Sequence, residues 1–375
     1  MASNIANTVD FGTTGLNVGD YTYSLYALSA PGYLPLNSYT NSYLVSSYTA
    51  LGALIVPVIT PVSYTATART LSASATWFAA AYGNGIFVAT SNSTAAASST
   101  DGITWTARTL PASITWLSIA YGNGLFVAVG WASGLVATTI YATSPDGITW
   151  TQRALPTSKI WTSVCFGNGR FVAISGYGDT GTAASIDGIT WTTGTNVSTA
   201  SWQSVIYGNG LFVCVAQNGA SATSADGITW VSRSGLPING WTITFGNGVF
   251  VVTSGGATSN AIAARSTNGI DWTSQTLPAT ANWYAVTYGN NAFVALGSTG
   301  TAAATSPDGV TWTSRTLPSS AQWQSVAAGP NKFVCIPSTA ANTASATIDY
   351  AVNATDFTLP VIAPITGTTA YVKAS

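Results

Sequence analysis

All 11 acidic residues of this 375-residue chain are Asp; it has no Glu and no His. Two opposed carboxylates suffice for glycoside hydrolysis, so the places where Asp falls decide what chemistry is open. Asp101, Asp146, Asp187, Asp226 and Asp308 each precede a Gly at a recurring point, with Asn268-Gly269 standing for a sixth copy. An Asp in a tight turn accepts backbone N–H groups, and repetition marks scaffolding rather than a single site. Outside those turns lie Asp10, Asp20, Asp179, Asp271, Asp349 and Asp356, of which Asp271 and Asp356 share a repeat position just past the turn. Five Arg (Arg69, Arg108, Arg153, Arg233 and Arg315) also recur at one place, three residues after a Trp or its equivalent. No catalytic residue is expected, and the reading is non-enzymatic.

Other chemistries fare no better. Without His, clustered Cys or a carboxylate run, no metal site is expected. Cys165, Cys214 and Cys335 sit in apolar runs and read as small buried hydrophobes, not as a disulfide framework. No glycine-rich loop opens a helix, so a nucleotide cofactor is not expected, and the cofactor expectation is none. A formal net charge of −1 supplies no field to attract nucleic acid. The most apolar segment, Ala50–Ile59, is too short to span a bilayer and contains Pro57, so no membrane insertion is expected. The N-terminus lacks the basic and apolar stretches of a signal peptide; synthesis in a cytoplasm follows as an expectation.

The elements that carry these residues repeat. Trp77, Trp116, Trp161, Trp202, Trp241, Trp283 and Trp323 are spaced 39, 45, 41, 39, 42 and 40 residues apart, the period of a four-stranded propeller blade. Each is followed by a short alternating run and a turn such as Tyr82-Gly-Asn-Gly85 or Tyr207-Gly-Asn-Gly210. An apolar Phe-Val strand comes next, then the Asp-Gly turn and a second Trp (Trp105, Trp150, Trp191, Trp230, Trp272, Trp312). Asn353-Ala354 with Phe357 reads as a worn seventh copy. Asn-Gly supplies the two positive-φ positions of a type I′ hairpin, and in the fourth unit Leu236-Pro237 breaks the ladder before the next. One blade cannot bury both faces alone, whereas stacking around an axis does so and leaves short edges. The fold class is therefore all-β: a seven-bladed β-propeller of four-stranded blades over residues 62–375, with a small N-terminal attachment region, 1–61. Both Tyr64–Leu71 and Thr355–Leu359 match the fourth-strand pattern; the N-terminal one is favoured to close the ring.

The unit Ser144 to Trp150 resembles the Asp-box of sialidase-like propellers, with one residue fewer between Asp and Gly. The longer pattern, Ala120–Gly130 followed by Ala142–Arg153, resembles the propeller repeats of phage tail-fibre proteins. Pro31–Asn37 and Tyr43–Ile55 are similar to a short module of phage tail and collar proteins, with Tyr33, Asn37 and Thr49 departing from its pattern. The resemblance implies a surface-exposed virion protein, a tail fibre or adhesin, that docks to other tail or fibre proteins through its N-terminal region and faces the host. A capsid decoration protein is the alternative. Sialidase-type catalysis needs a Glu partner that is absent here. Only 6% of residues are charged, a surface that suits a homo-oligomer or an assembly better than a free monomer, and the Tyr-rich start (Tyr21, Tyr23, Tyr26, Tyr33, Tyr39, Tyr43, Tyr48) suits an interface.

Binding sites on repeat scaffolds fall where the units differ. The face formed by the second-to-third loops and the loops from each fourth strand to the next blade carries nearly all the length variation. Trp131, alone among 14 Trp in lying outside the repeat, sits with Tyr141 in the insertion Gly130–Tyr141, and Tyr177 and Asp179 sit in the neighbouring loop. These four are the candidate ligand-binding residues, for a host-surface glycan. The alternative is that Trp131 covers the loop's own underside.

Overall fold

The structure, a computed structural model, describes residues 63–195, 200–255, 260–338 and 342–351. The region 1–61, the worn repeat at Asn353–Phe357 and the second closing candidate, Thr355–Leu359, lie outside the described residues. Within them the chain is a ring of seven antiparallel four-stranded sheets, with no helix among the described residues.

The fourth blade shows how sequence makes the unit. Strands Trp202–Gly208, Leu211–Ala216, Ser221–Ser224 and Val231–Arg233 pair in chain order. Asn209 and Gly210 both take positive φ, 50° and 82°, and the hairpin closes with Gly208 opposite Leu211. The fourth strand begins at Val231 rather than at Ile228, where the sequence pattern places it. The Asp226 carboxylate has taken the N–H groups of Ile228 and Thr229 into the turn.

Neighbouring blades meet in seven apolar clusters. Trp77, Trp116, Trp161, Trp202, Trp283 and Trp323 are the wedges of six of them, each at most 1% exposed. Each such ring withdraws about 150–250 Å² from water. A second device lies at the turn. A Cβ on Gly122 would stand 2.0 Å from the Phe166 ring of the next blade, and one on Gly83 would stand 2.1 Å from Tyr121. The glycine is a socket for the next blade's aromatic. Asn side chains of the hairpins reach across as well: Asn123 donates to the Ile186 carbonyl at 2.9 Å and Asn209 to that of Thr267 at 2.7 Å.

The N-terminal strand closes the ring. Ser63–Ala75 is the outer strand of the blade formed by Trp323–Gly329, Lys332–Pro337 and Asn342–Ala351. Its Arg69 Nε donates to the Thr347 hydroxyl at 3.2 Å. The last blade meets the first through a variant of the same contacts: the Gly329 socket holds Phe87 of the second strand instead of the turn aromatic Tyr82, and the Ala80 N–H donates to the Ser325 hydroxyl at 3.1 Å.

Trp241 is not a wedge, and here the repeat reading is corrected. In every blade the register slips once near the start of the first strand: Trp202 faces Ala216, and the next pair is Ser204 with Val215. In the fifth blade the residue before that slip is Gly240, opposite Ser254, so Trp241 occupies the bulge itself. A Cβ on Gly240 would lie 2.8 Å from Val215 and 3.1 Å from Leu236. Leu236 and Ile238 fill the volume that an indole fills elsewhere.

Candidate functional site

The repeated Asp are turn scaffolds. In the first blade, Asp101 Oδ1 accepts the N–H groups of Ile103 and Thr104, both at 2.8 Å, and the Ser99 hydroxyl at 2.9 Å. Asp146, Asp187, Asp226 and Asp308 repeat the pattern, and in the fifth blade the Asn268 amide oxygen does the same. The N–H groups of Thr104 and Ile103 hold the Asp101 carboxyl down at about 2. At Asp226 burial works against ionisation, but the Thr229 and Ile228 N–H groups outweigh it and again leave the carboxyl at about 2. Such groups stay ionised and occupied. Asp271 accepts from the Asn268 amide at 2.9 Å, and Asp349 lies 3.8 Å from Arg69 and 4.0 Å from Lys332.

The recurring arginines are equally committed. Arg108 Nε donates to the Ser98 hydroxyl at 2.8 Å, and Arg153, Arg233 and Arg315 donate to Thr143, Thr223 and Thr305 at 2.8–3.0 Å. Each pins its fourth strand to its third. The cysteines are buried free thiols, and burial pushes all three upward in pKa.

The structure separates the four residues assigned to ligand binding. Tyr141 is fully buried, its hydroxyl donating to the carbonyls of Gly188 and Ile189 at 3.2 and 3.1 Å, with its ring edge-on to Trp191. It packs blade against blade. Asp179 accepts the Ile160 N–H at 2.9 Å and pairs with Lys159 at 3.4 Å, fixing the entry to its blade. Trp131 and Tyr177 come together, edge to face, with ring centroids 5.4 Å apart.

They meet at the rim of a cavity of about 370 Å³ on the ring axis. Its wall is the set of first strands, and the bulge residue of each blade lines it: Phe78, Leu117, Thr162, Gln203, Trp241, Tyr284 and Gln324. Trp131 ends its strand, Leu125–Trp131, at the place where other blades, their strands one residue shorter, carry Asn92, Gly176, Gln217, Ser298 or Ser338; the insertion beyond it folds back as a small hairpin in which Ala132 and Val136 exchange N–H···O bonds of 2.9 and 3.2 Å. Tyr177 sits in a turn closed by the Asp179 N–H donating to the Gly176 carbonyl at 3.1 Å, with φ +55° followed by Gly178 at +91°. That is the left-handed conformation that Asn or Gly fills in the Asn-Gly hairpins, so a tyrosine here is strained.

Trp241 and Tyr284 stack at 4.5 Å between centroids, the two blades joined beneath them by the Thr242 hydroxyl donating to the Tyr284 carbonyl. Burial pushes the Tyr177 phenol up, the neighbouring Tyr284 adds to this, and a hydrogen bond with Gln203 offsets part of it. The Gln203 amide is itself held by Ser201 at 3.1 and 3.3 Å. Among the described residues lining the cavity none is charged. Sequence reasoning found Trp131 and Tyr177 but missed Trp241, Tyr284 and Gln203. One signal was present for Trp241: it stands four residues before the turn aromatic Phe245, whereas five others stand five before theirs and Trp323 stands five before Ala328 at the same place.

Comparison with known proteins bears on the fold. Residues 237–370 match the family model described as the DUF6242 beta propeller domain. No curated protein matches the sequence. Among solved structures, virginiamycin B lyase from Staphylococcus aureus is similar at TM-score 0.66 and 10% identity, over 77% of this chain and 100% of that one. YCF48 bound to D1 peptide is similar at TM-score 0.59 and 16% identity, over 79% and 97%. The WD40 propeller of Doa1 is similar at TM-score 0.58 and 12% identity, over 79% and 99%. At these identities the likeness is one of architecture. The chain is a seven-bladed β-propeller.

Proposed function

We propose that this chain is a non-enzymatic virion protein of a tailed phage, a tail fibre or surface-displayed adhesin. Residues 1–61 dock it to the particle, and the propeller presents its variable face to the host. One observation carries the non-catalytic reading: the carboxylates and arginines of the described propeller are engaged in structural contacts, and most of those contacts repeat from blade to blade. A structural neighbour points the same way. One solved virginiamycin B lyase, with quinupristin, is a catalytically inactive histidine-to-alanine variant, and this chain has no histidine at all. The virion reading is supported by the tail-collar-like residues Pro31–Asn37 and Tyr43–Ile55 and by the tail-fibre-like repeat.

Deleting residues 1–61 tests the docking role. The truncated chain is expected to be soluble and folded by circular dichroism and absent from purified particles. Normal incorporation would refute docking. Imaging of labelled particles separates tail from capsid shell, and density on the shell would favour decoration. Turnover of a host-surface polysaccharide by the purified chain would end the non-enzymatic reading.

A further inference from the structure

The departures from the repeat are not scattered. Trp131 replaces a small or polar residue at a strand end, Trp241 has moved from wedge to bulge, and Tyr177 occupies a backbone conformation that suits Asn. All three line one rim of the axial cavity. The repeat does not require this. The wedge volume in the fifth blade is filled without Trp241, and the turn at 176–179 would close more easily without a tyrosine. Side chains kept at a cost to local structure and gathered in one place signal a function.

The chemistry of the rim selects the occupant. Tyr177 is exposed and Trp241 and Tyr284 are half-buried, so their rings offer apolar surface, while the buried Trp131 backs Tyr177 edge to face. Beside them lie the half-buried Gln324 amide and the Tyr284 hydroxyl, with the Gln203 amide, held by Ser201, beneath. No charged lining is present among the described residues, and the nearby Asp179 is neutralised by Lys159. A carboxylated, sulfated or phosphorylated ligand would find no counter-charge there. A purely aliphatic ligand would cover the Gln324 amide and the Tyr284 hydroxyl without supplying a partner. A pyranose has an apolar C–H face and a rim of hydroxyls, matching both sets. The cavity is of the size used for small-molecule recognition, about 300–1,000 Å³.

We propose that the rim formed by Trp131, Tyr177, Gln203, Trp241 and Tyr284 is a binding site for an uncharged saccharide. The proposal deepens the reading of the propeller as an outward-facing, non-catalytic module, and rests on it for biological meaning.

The full chain is tested on an array of neutral hexose and N-acetylhexosamine oligosaccharides, sialylated and phosphorylated counterparts, and neutral peptides. Binding is expected on the neutral glycans alone and should be insensitive to salt. Tyr177→Asn places a residue suited to positive φ, and Trp241→Gln installs what two other blades carry at the bulge. Each should lower affinity at least tenfold, about 1.4 kcal/mol, with no loss of melting temperature. Should Trp241→Gln melt lower, Tyr177→Asn alone decides. No binding to neutral glycans, preference for anionic glycans or peptides, or normal binding by both variants would overturn the site. The same variants should still enter particles. If full-length chain without glycan binding incorporates normally, the site fails and the virion reading survives; if the 1–61 deletion also incorporates, docking fails independently.

Discussion

Glycine does two different jobs within one hairpin, and the difference can be measured. Gly122 is a socket: a methyl there would lie 2.0 Å from the Phe166 ring, which is locked between blades. Gly124, two residues on, has φ +74° and open space around it. We expect Gly122→Ala to cost about 3 kcal/mol, the upper range for overpacking a rigid core. Gly124→Ala should cost only about 1–2 kcal/mol, the cost of a left-handed L-residue. Urea titration of both variants checks the contrast, and equal costs would remove the socket. The three thiols give a second test at this scale. Cys165, Cys214 and Cys335 are fully buried, so an aromatic disulfide reagent should label none of them in the native chain and all three after denaturation. Legibility differs among single residues for a physical reason. Trp131 stood out because nothing else in the repeat resembles it. Trp241 hid because loop lengths vary by more than the one-residue slip that moved it. Tyr284 and Gln203 were invisible because the bulge position tolerates any side chain, so neither hydrophobic pattern nor turn chemistry marks it.

The Ser-x-Asp-Gly turn is an element with its own acid sensitivity. Five aspartates accept two backbone N–H groups each, and two of them are held at about 2 against an ordinary 3.8. A carboxyl whose folded pKa lies below its unfolded one stabilises the fold fully above the unfolded value. That contribution fades as pH falls through the folded value. Urea stability should therefore be level above about pH 5 and should decline between about pH 4 and pH 2. A flat profile across that window would mean that the turns contribute nothing. Asn268 performs the same task without a charge, which sharpens the point. Asp226→Asn should cost less than Asp226→Ala, which abandons two N–H groups at roughly 0.5–1.5 kcal/mol per bond. It should also make the turn indifferent to acid. The turn was legible because Asp and Gly each have one plain reason to be there, while the start of the fourth strand was misplaced because that reading stopped short of the N–H groups the carboxylate consumes.

At the scale of the whole ring, stability depends on closure. The interfaces share their parts, a wedge or its substitute, a glycine socket filled by the next blade (by an aromatic in all but the Gly289 socket, which takes Ala328) and, at most of them, an Asn reaching across, so no blade is more than a fraction of a fold by itself. The interface between last and first blades is intact only because Ser63–Ala75 completes the last sheet. That strand brings Leu71 into the cluster that holds Trp77 and Phe87 and Arg69 onto Thr347. A linear stack of repeats would lose one terminal unit and keep the rest. A closed ring would instead expose two apolar faces at once. Removing residues 1–61 should therefore leave a single sharp thermal transition, whereas removing residues 1–75 should abolish it and give aggregation on size-exclusion chromatography. If the shorter chain melts at the same temperature as the longer one, closure by the N-terminal strand contributes little and the blades behave as a solenoid. A second version of the experiment supplies residues 63–75 at the other end, through a flexible linker after residue 351. Recovery of the sharp transition would show that the strand's place in the sheet matters and its position in the sequence does not.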